Sequence, residues 1–354
     1  MPTSPHAPRP PTGGAGSEGS APLEPVAVLG TGAWGLTLAW LLGRKGLAVR
    51  LWGRRPEVVG ELRCARRLPE RLPEIELAPT VTPTASLGET LVGAAAVVWA
   101  VPSRWLRDVA CSACDLVPGD ALLVSATKGI EEGTSLRMSE VLRAELRLPP
   151  ERPVVALSGP NLSSEIVTGS PTAAVAASPD AAAARHAQEL LFCERFRVYT
   201  NPDLVGVELA GALKNVLAIA AGCSDGLGFG SNAKGALLTR GLAEMTRLGV
   251  AMGAQAVTFA GLAGIGDLLA TCNSRLSRNW QVGFQLTQGR RPDQIPDWMH
   301  AEGIPTTIAV CAEAERRRIQ MPISATVRDV LQGVLPPLEA VRALMGRVGR
   351  AETD

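Results

Sequence analysis

Three observations predict a Rossmann-type doubly wound α/β sheet followed by an all-helical domain. A glycine turn sits between a short apolar strand and a helix at residues 26–43. Further short apolar segments recur at intervals that leave room for crossover helices. After residue 201 the pattern changes to long Ala- and Leu-rich stretches joined by glycine turns.

The first element is the strand Val26 to Leu29, which runs into Gly30-x-Gly32-x-x-Gly35 and then a helix to about Gly43. Strand, glycine turn and helix in direct succession offer a helix N-terminus to a pyrophosphate, so the motif reads as dinucleotide binding. The competing reading is a turn whose glycines serve only helix–strand packing. The second strand, Ala48 to Trp52, ends in Gly53-Arg54-Arg55. About 20 residues after the glycines an acid would suit the 2′-hydroxyl of NAD and an Arg the 2′-phosphate of NADP. No acid occurs there before Glu57. NADPH is therefore the preferred cofactor, with NADH possible because Arg also stacks on adenine. Residues 61–83, rich in Arg, Pro and Glu, read as an irregular solvated connection.

Five more strands follow: Ala94 to Val101, Ala121 to Ala126, Val154 to Leu157, Ala173 to Ala177 and Phe196 to Thr200. Ligands in open α/β sheets sit beyond the carboxyl ends of strands, which is where Thr127-Lys128-Gly129 falls. Asn201-Pro202 marks the domain boundary. The expected organisation is a Pro/Gly-rich disordered tail over residues 1–22, a dinucleotide-binding domain over 23–201 and a helical substrate-binding domain over 202–346. The first 25 residues hold seven Pro and lack the apolar core of a signal peptide.

Composition narrows the function. A net charge of +1 gives no reason to expect nucleic acid or an anionic membrane as partner, and stable membrane insertion is not expected. Seven scattered Cys suggest a reducing cytoplasm rather than a disulfide framework, and Cys111-x-x-Cys114 reads as incidental. The three His (His6, His186, His300) are too dispersed for a metal cluster, so no metal is expected and proton transfer must fall to other groups.

Of the 35 basic residues only four are Lys: Lys45, Lys128, Lys214 and Lys234. Arg cannot give up its proton, whereas a desolvated Lys can be tuned to do so. Lys214 lies mid-way along the apolar stretch from Val205 to Asp225, with Val207, Ala210, Gly211 and Leu217 on its face. It is a candidate acid/base projecting from a small-residue surface; the plainer alternative is a snorkelling surface lysine. Residues 222–235 read as a glycine-rich linker carrying Asp225 and Lys234, and Lys234 is either functional or a helix cap. Asp267 and Thr271, four apart, share a helix face. Ser277-Arg278-Asn279 reads as a helix start, a phosphate site if its N-terminus and Arg fork act together.

These motifs carry a resemblance. GTGAWG, LWGR, AVPS, SATKGIE, SGPN, FRVYTNPDLVGVELAGALKNVLAIAAG, DGLGFGSNAKGALLTRGLAEMTRLG and GLAGIGDLLATCNSRLSRN are similar to those of bacterial-type NAD(P)H-dependent glycerol-3-phosphate dehydrogenases, from about residue 26 into the 340s. The resemblance implies reversible reduction of dihydroxyacetone phosphate to sn-glycerol 3-phosphate for phospholipid synthesis, by a cytoplasmic homodimer. It implies Lys214 as proton donor and acceptor, with Asp267 and Lys128 beside it. Cofactor contacts fall on Gly30, Gly32, Ala33, Trp34, Gly35, Arg54, Arg55, Lys128, Ser163, Arg278, His300 and Glu302. Substrate contacts fall on Lys128, Gly159, Asn161, Lys214, Asp267, Thr271, Ser277, Arg278 and Asn279. Two lysines beside one oxygen are expected to lower the pKa of at least one. Ala33, Asn161 and His300 depart from the family's usual Ser, Ser or Thr, and Val.

Two rivals bound the reading. A β-hydroxyacid-type dehydrogenase would place a substrate carboxylate on Arg278 and Asn279. A non-catalytic NADP-binding regulator would have lost Lys214 or Asp267, and both are present. A Tyr-x-x-x-Lys reductase is excluded, since Tyr199 is followed four residues later by Asp203.

Overall fold

The computed structural model describes residues 25–296 and 298–349; the tail expected over 1–22 lies outside them. The chain alternates strand and helix through its first half. In order these are β1 (Val26–Leu29), α1 (Ala33–Arg44), β2 (Val49–Trp52), α2 (Pro56–Ala65), β3 (Val81–Thr84), α3 (Leu87–Leu91), β4 (Ala96–Trp99) and α4 (Ser103–Ala113). Then come β5 (Leu122–Ser125), α5 (Met138–Glu145), β6 (Val154–Ser158), α6 (Ser163–Val167), β7 (Thr172–Ala177), α7 (Ala181–Leu191) and β8 (Phe196–Asn201). The strands form one eight-stranded sheet in the order β3-β2-β1-β4-β5-β6-β7-β8, parallel except where β7 runs against β6. Because most strands are covered on both faces they read as unbroken apolar runs; β1, β4, β5 and β6 are buried at every position. The strand order reverses between β1 and β4, which opens a crevice at their carboxyl ends.

The helical half follows: α8 (Leu204–Gly226), α9 (Ser231–Ala251), α10 (Ala256–Phe259), α11 (Asp267–Asn273), α12 (Arg278–Thr287), α13 (Gly303–Arg317), α14 (Pro322–Leu331) and α15 (Pro337–Met345). Helix α8 is its axis, packed against α9, α11, α12, α13 and the end of β6. By length and composition α8 could cross a membrane, as could residues 256–273, yet 83% of the most apolar window of α8 lies inside the protein. Its core is shared with the sheet, since Ile130, Ala156, Val175 and Ala177 pack into the same cluster as Val207, Ala210 and Leu217.

Two sequence expectations are corrected. Residues 61–83 are not simply irregular: they include the end of α2 and most of β3. Pro83 hid this strand, because Pro argues against a central strand; β3 is an edge strand, where the missing N–H is tolerated. Residues 222–235 are likewise not a linker, because α8 runs to Gly226 and α9 begins at Ser231. The glycines within α8 serve contact rather than flexibility. A methyl group at Gly222 would lie 2.0 Å from the Trp280 carbonyl oxygen, and one at Gly283 would lie 1.9 Å from that of Ile219. Helices α8 and α12 therefore meet backbone to backbone.

Candidate active site

The site is assembled where α8 passes the carboxyl ends of the central strands. Gly211 permits that approach: a methyl there would lie 2.6 Å from the Ser158 hydroxyl and 3.7 Å from Cδ of Lys128. One turn on, Lys214 is buried, so the snorkelling alternative does not hold. Its ammonium donates to Asp267 Oδ1 at 2.6 Å and to Thr271 Oγ1 at 2.7 Å. The other oxygen of the same carboxylate, Oδ2, accepts from Lys128 at 2.7 Å, and Lys128 also donates to the Gly159 carbonyl at 3.0 Å. Asp267 thus bridges two lysines brought from strand loop and helix. It is aimed by a single π turn over Leu262–Gly266, a device that re-registers a helix face and recurs at functional sites. Gly264 makes that turn possible, since a methyl there would lie 2.0 Å from the Phe259 carbonyl oxygen.

Burial pulls the Lys214 pKa down from 10.5 to about 8, against the attraction of Asp267, and the Lys128 charge lowers it further. The sequence expectation named both desolvation and repulsion between the lysines; desolvation is the larger cause.

Ser277 caps α12, its hydroxyl accepting from the Trp280 N–H at 3.3 Å. Arg278 is exposed at the helix start. The Asn279 amide is engaged at both ends: it donates to Asn215 Oδ1 at 2.9 Å and accepts from the Gly303 N–H at 2.8 Å. It ties α8, α12 and α13 together. Sequence reasoning passed over Asn215, and its position next to Lys214 was the only signal for it.

Around the glycine turn, Gly30 (φ +124°) lies so close to β4 that a methyl would sit 2.5 Å from the Ala100 carbonyl oxygen, and one at Gly35 would sit 1.9 Å from that of Gly30. A methyl at Gly32 would meet nothing within 4 Å. Gly32 is the N-cap of α1 and supplies no side-chain cap, which leaves the first N–H groups of that helix without one. That cradle fits a dinucleotide pyrophosphate. The Trp34 indole N–H and both polar atoms of the Asn161 amide are buried without a protein partner. Gly159 (φ +121°) turns the chain between β6 and Asn161, and Ser163 opens α6. Arg54 stacks over the Trp105 ring, 4.5 Å from its centroid, and Arg55 is exposed beside it.

Glu302 reaches back across the chain to the start of α4. The Ser103 N–H donates to it at 3.1 Å and the Ser103 hydroxyl donates to its other oxygen, while burial pushes its pKa up. Ser103 was not among the expected site residues; its contact spans 199 positions and has no local signature. His300 is exposed in a short 3-10 turn (Trp298–His300).

Comparison with known proteins agrees with this geometry. Residues 25–184 match the family described as NAD-dependent glycerol-3-phosphate dehydrogenase N-terminus, and residues 203–342 match its C-terminus. A protein of Geobacter sp. (strain M21) named glycerol-3-phosphate dehydrogenase [NAD(P)+] is 48% identical over 333 residues, covering 93% of this chain and 99% of the relative. One from Geobacillus kaustophilus with the same name is 44% identical, covering 94% and 97%. The crystal structure of glycerol-3-phosphate dehydrogenase from Coxiella burnetii superposes with a TM-score of 0.87 at 38% identity, over 92% of this chain and 99% of that one. With both halves matched and such identity over nearly its whole length, the chain belongs to the NAD-dependent glycerol-3-phosphate dehydrogenase family.

Proposed function

We propose that the protein catalyses reversible hydride transfer between a nicotinamide dinucleotide and the C2 carbon of dihydroxyacetone phosphate, giving sn-glycerol 3-phosphate. The observation that carries this reading is the bridge in which Asp267 holds Lys214 and Lys128 at 2.6 and 2.7 Å. The nicotinamide cofactor supplies the hydride in reduction and accepts it in oxidation. Everything else falls to the chain's own side chains.

Lys214, protonated, gives its proton to the C2 oxygen as the carbonyl becomes an alkoxide; in the reverse direction the neutral amine takes the hydroxyl proton. A pKa of about 8 keeps both forms accessible near neutral pH. Asp267 and Thr271 fix the direction of the ammonium, and Lys128 places a second positive charge beside the developing oxyanion. The N-terminal turn of α12, with Ser277 and Arg278, receives the substrate phosphate. Asn279, held by its bonds to Asn215 and Gly303, supports that turn and keeps one N–H for the substrate phosphate. Gly30, Gly32, Ala33, Trp34 and Gly35 would hold the dinucleotide, with Ser163, His300 and Glu302 as further cofactor contacts, while Gly159 and Asn161 would meet the substrate.

The preference is for NADPH. The end of β2 carries Arg54 and Arg55 and no carboxylate before Glu57, and Arg54 is already oriented by Trp105. A homodimer working in the cytoplasm toward glycerophospholipid synthesis completes the reading, together with the division into domains at residue 201.

The test is steady-state oxidation of NADPH and of NADH with dihydroxyacetone phosphate as varied substrate and a keto acid as control. Phosphate-dependent turnover is expected; turnover only with the keto acid would move the protein to the β-hydroxyacid class. Arg54→Asp should reduce the preference for NADPH over NADH by about tenfold or more, the effect of one lost charged contact. An unchanged ratio would remove Arg54 from the 2′-phosphate.

A further inference from the structure

The segment between α2 and β3 is a built loop. Arg66 adopts a left-handed backbone (φ 59°) as it leaves α2, and its guanidinium donates to the Leu77 carbonyl at 3.1 Å and to the Ala78 carbonyl. The Leu77 N–H returns to the Arg66 carbonyl at 2.8 Å, which closes residues 66–77 into a ring. Leu68, Leu72, Ile75 and Leu77 are buried in the core below it. At the tip stands Arg71, on a turn closed by its N–H to the Leu68 carbonyl at 3.0 Å.

Arg71 reaches the glycine turn. Its guanidinium donates to the carbonyl of Thr31, between Gly30 and Gly32, at 2.6 Å, and its side chain is only 26% exposed. Burial lowers its pKa, and Arg55 and Arg278 lie near enough to lower it further, against the pull of Glu70 3.9 Å away. Glu70 is itself more than half exposed and so compensates weakly. Arg71 is thus held half-buried at the glycine turn, with the charges of Arg55 and Arg278, both exposed, acting on it from two other segments. A half-buried guanidinium whose nearest carboxylate is exposed and 3.9 Å away is stabilised when an anion joins it.

Resting on the reading of the glycine turn as the dinucleotide site, we propose that Arg71 is a further cofactor-binding residue, a charged clamp carried by the 66–77 loop onto a phosphate of the bound dinucleotide. Its bond to Thr31 uses one N–H and leaves the rest of the fork for the ligand. The position beside Gly32 assigns that ligand to the diphosphate common to both nucleotides; the 2′-phosphate of NADPH is the other source of the same chemistry.

The experiment measures Kd for NADH and for NADPH by quenching of tryptophan emission, at low and high salt, in wild type, Arg71→Gln and Arg71→Lys. Gln keeps a donor for Thr31 but removes the charge, while Lys keeps the charge. Arg71→Gln should weaken both nucleotides about tenfold and flatten the salt dependence, with Lys recovering most of the loss. Weakening of NADPH alone also supports a phosphate clamp and moves it to the 2′-phosphate. Wild-type affinity in Arg71→Gln, for both nucleotides, overturns the inference alone, because the guanidinium would then only brace Thr31. Wild-type protein that binds neither nucleotide overturns it together with the functional reading. Should Arg71→Gln fail to fold, modification of wild-type Arg71 by phenylglyoxal, followed by mass spectrometry, decides the matter. Protection by NADH is expected, and an equal rate with and without NADH overturns the clamp.

Discussion

Helix α8 takes part in two lysine–aspartate pairs of nearly equal length and opposite fate. Lys214 meets Asp267 at 2.6 Å; Asp225, eleven residues further along the same helix, meets Lys234 at 2.7 Å. In the first pair the side chains are 8% and 2% exposed, and a second lysine shares the carboxylate. In the second they are 21% and 23% exposed, and the carboxylate is shared instead with the Trp280 indole N–H at 2.7 Å. The lesson is that the ion pair itself confers no chemistry. Removal from water and a competing cation make Lys214 a group that can lose its proton, while Lys234, on the first turn of α9, braces a helix contact.

The largest test of this contrast is replacement of each lysine by Arg, which keeps the charge and abolishes proton exchange. Lys214→Arg should lower kcat by about a thousandfold, within the range for loss of a general acid, whereas Lys234→Arg should stay within about threefold. Comparable losses in the two variants would make both pairs catalytic or neither.

Replacing the carboxylates comes next. Asp267→Asn leaves Lys214 and Lys128 facing each other and should reduce kcat by about a hundredfold or more. Asp225→Asn keeps an acceptor for Trp280 and should appear mainly in thermal melting, as a fall of about 1–2 °C, the shift expected for about 1 kcal/mol in a chain of this size.

The smallest effect is a displacement of pH profiles. Reduction requires protonated Lys214 and should fall as pH rises through about 8, while oxidation rises over the same interval. Lys128→Met removes a charge that lowers the Lys214 pKa, so its residual activity should turn over at higher pH. Folding stability carries the matching sign. Between about 8 and the ordinary 10.5 the unfolded chain holds the lysine proton and the folded one does not, so the stability contribution of Lys214 rises with pH across that window. A profile that does not move in Lys128→Met would separate the two lysines electrostatically.

Legibility in the sequence followed the range of the interaction. The glycine turn, the seven expected strands and the Ser277 cap depend on neighbours a few residues away, and each stands where the pattern put it. Lys214 was conspicuous because a lysine within an apolar helix of an Arg-rich chain has no local reason to be there. What was misread depended on distant partners. Residues 61–83 read as an irregular connection because the edge position that lets Pro83 sit in a strand cannot be known before the sheet order is known. Gly222 reads as the start of a glycine-rich linker because its reason for existing is the Trp280 carbonyl, 58 residues on in the sequence. Arg71 meets Thr31 across 40 positions and Glu302 meets Ser103 across 199. Nothing local distinguishes either from a surface charge.

The backbone contact between α8 and α12 also acts as a gauge. Where helices touch through side chains, drift in the core lets them slide and re-seat; where carbonyl meets Cα there is no compressible layer between them. The separation of Lys214 from the start of α12 is therefore set by the covalent dimensions of the chain, at Gly222 and Gly283, and not by whichever apolar residues fill the surrounding core. A reaction that requires a proton donor and an anion-holding turn at a fixed span thereby keeps its measure while the rest of the interior is free to change.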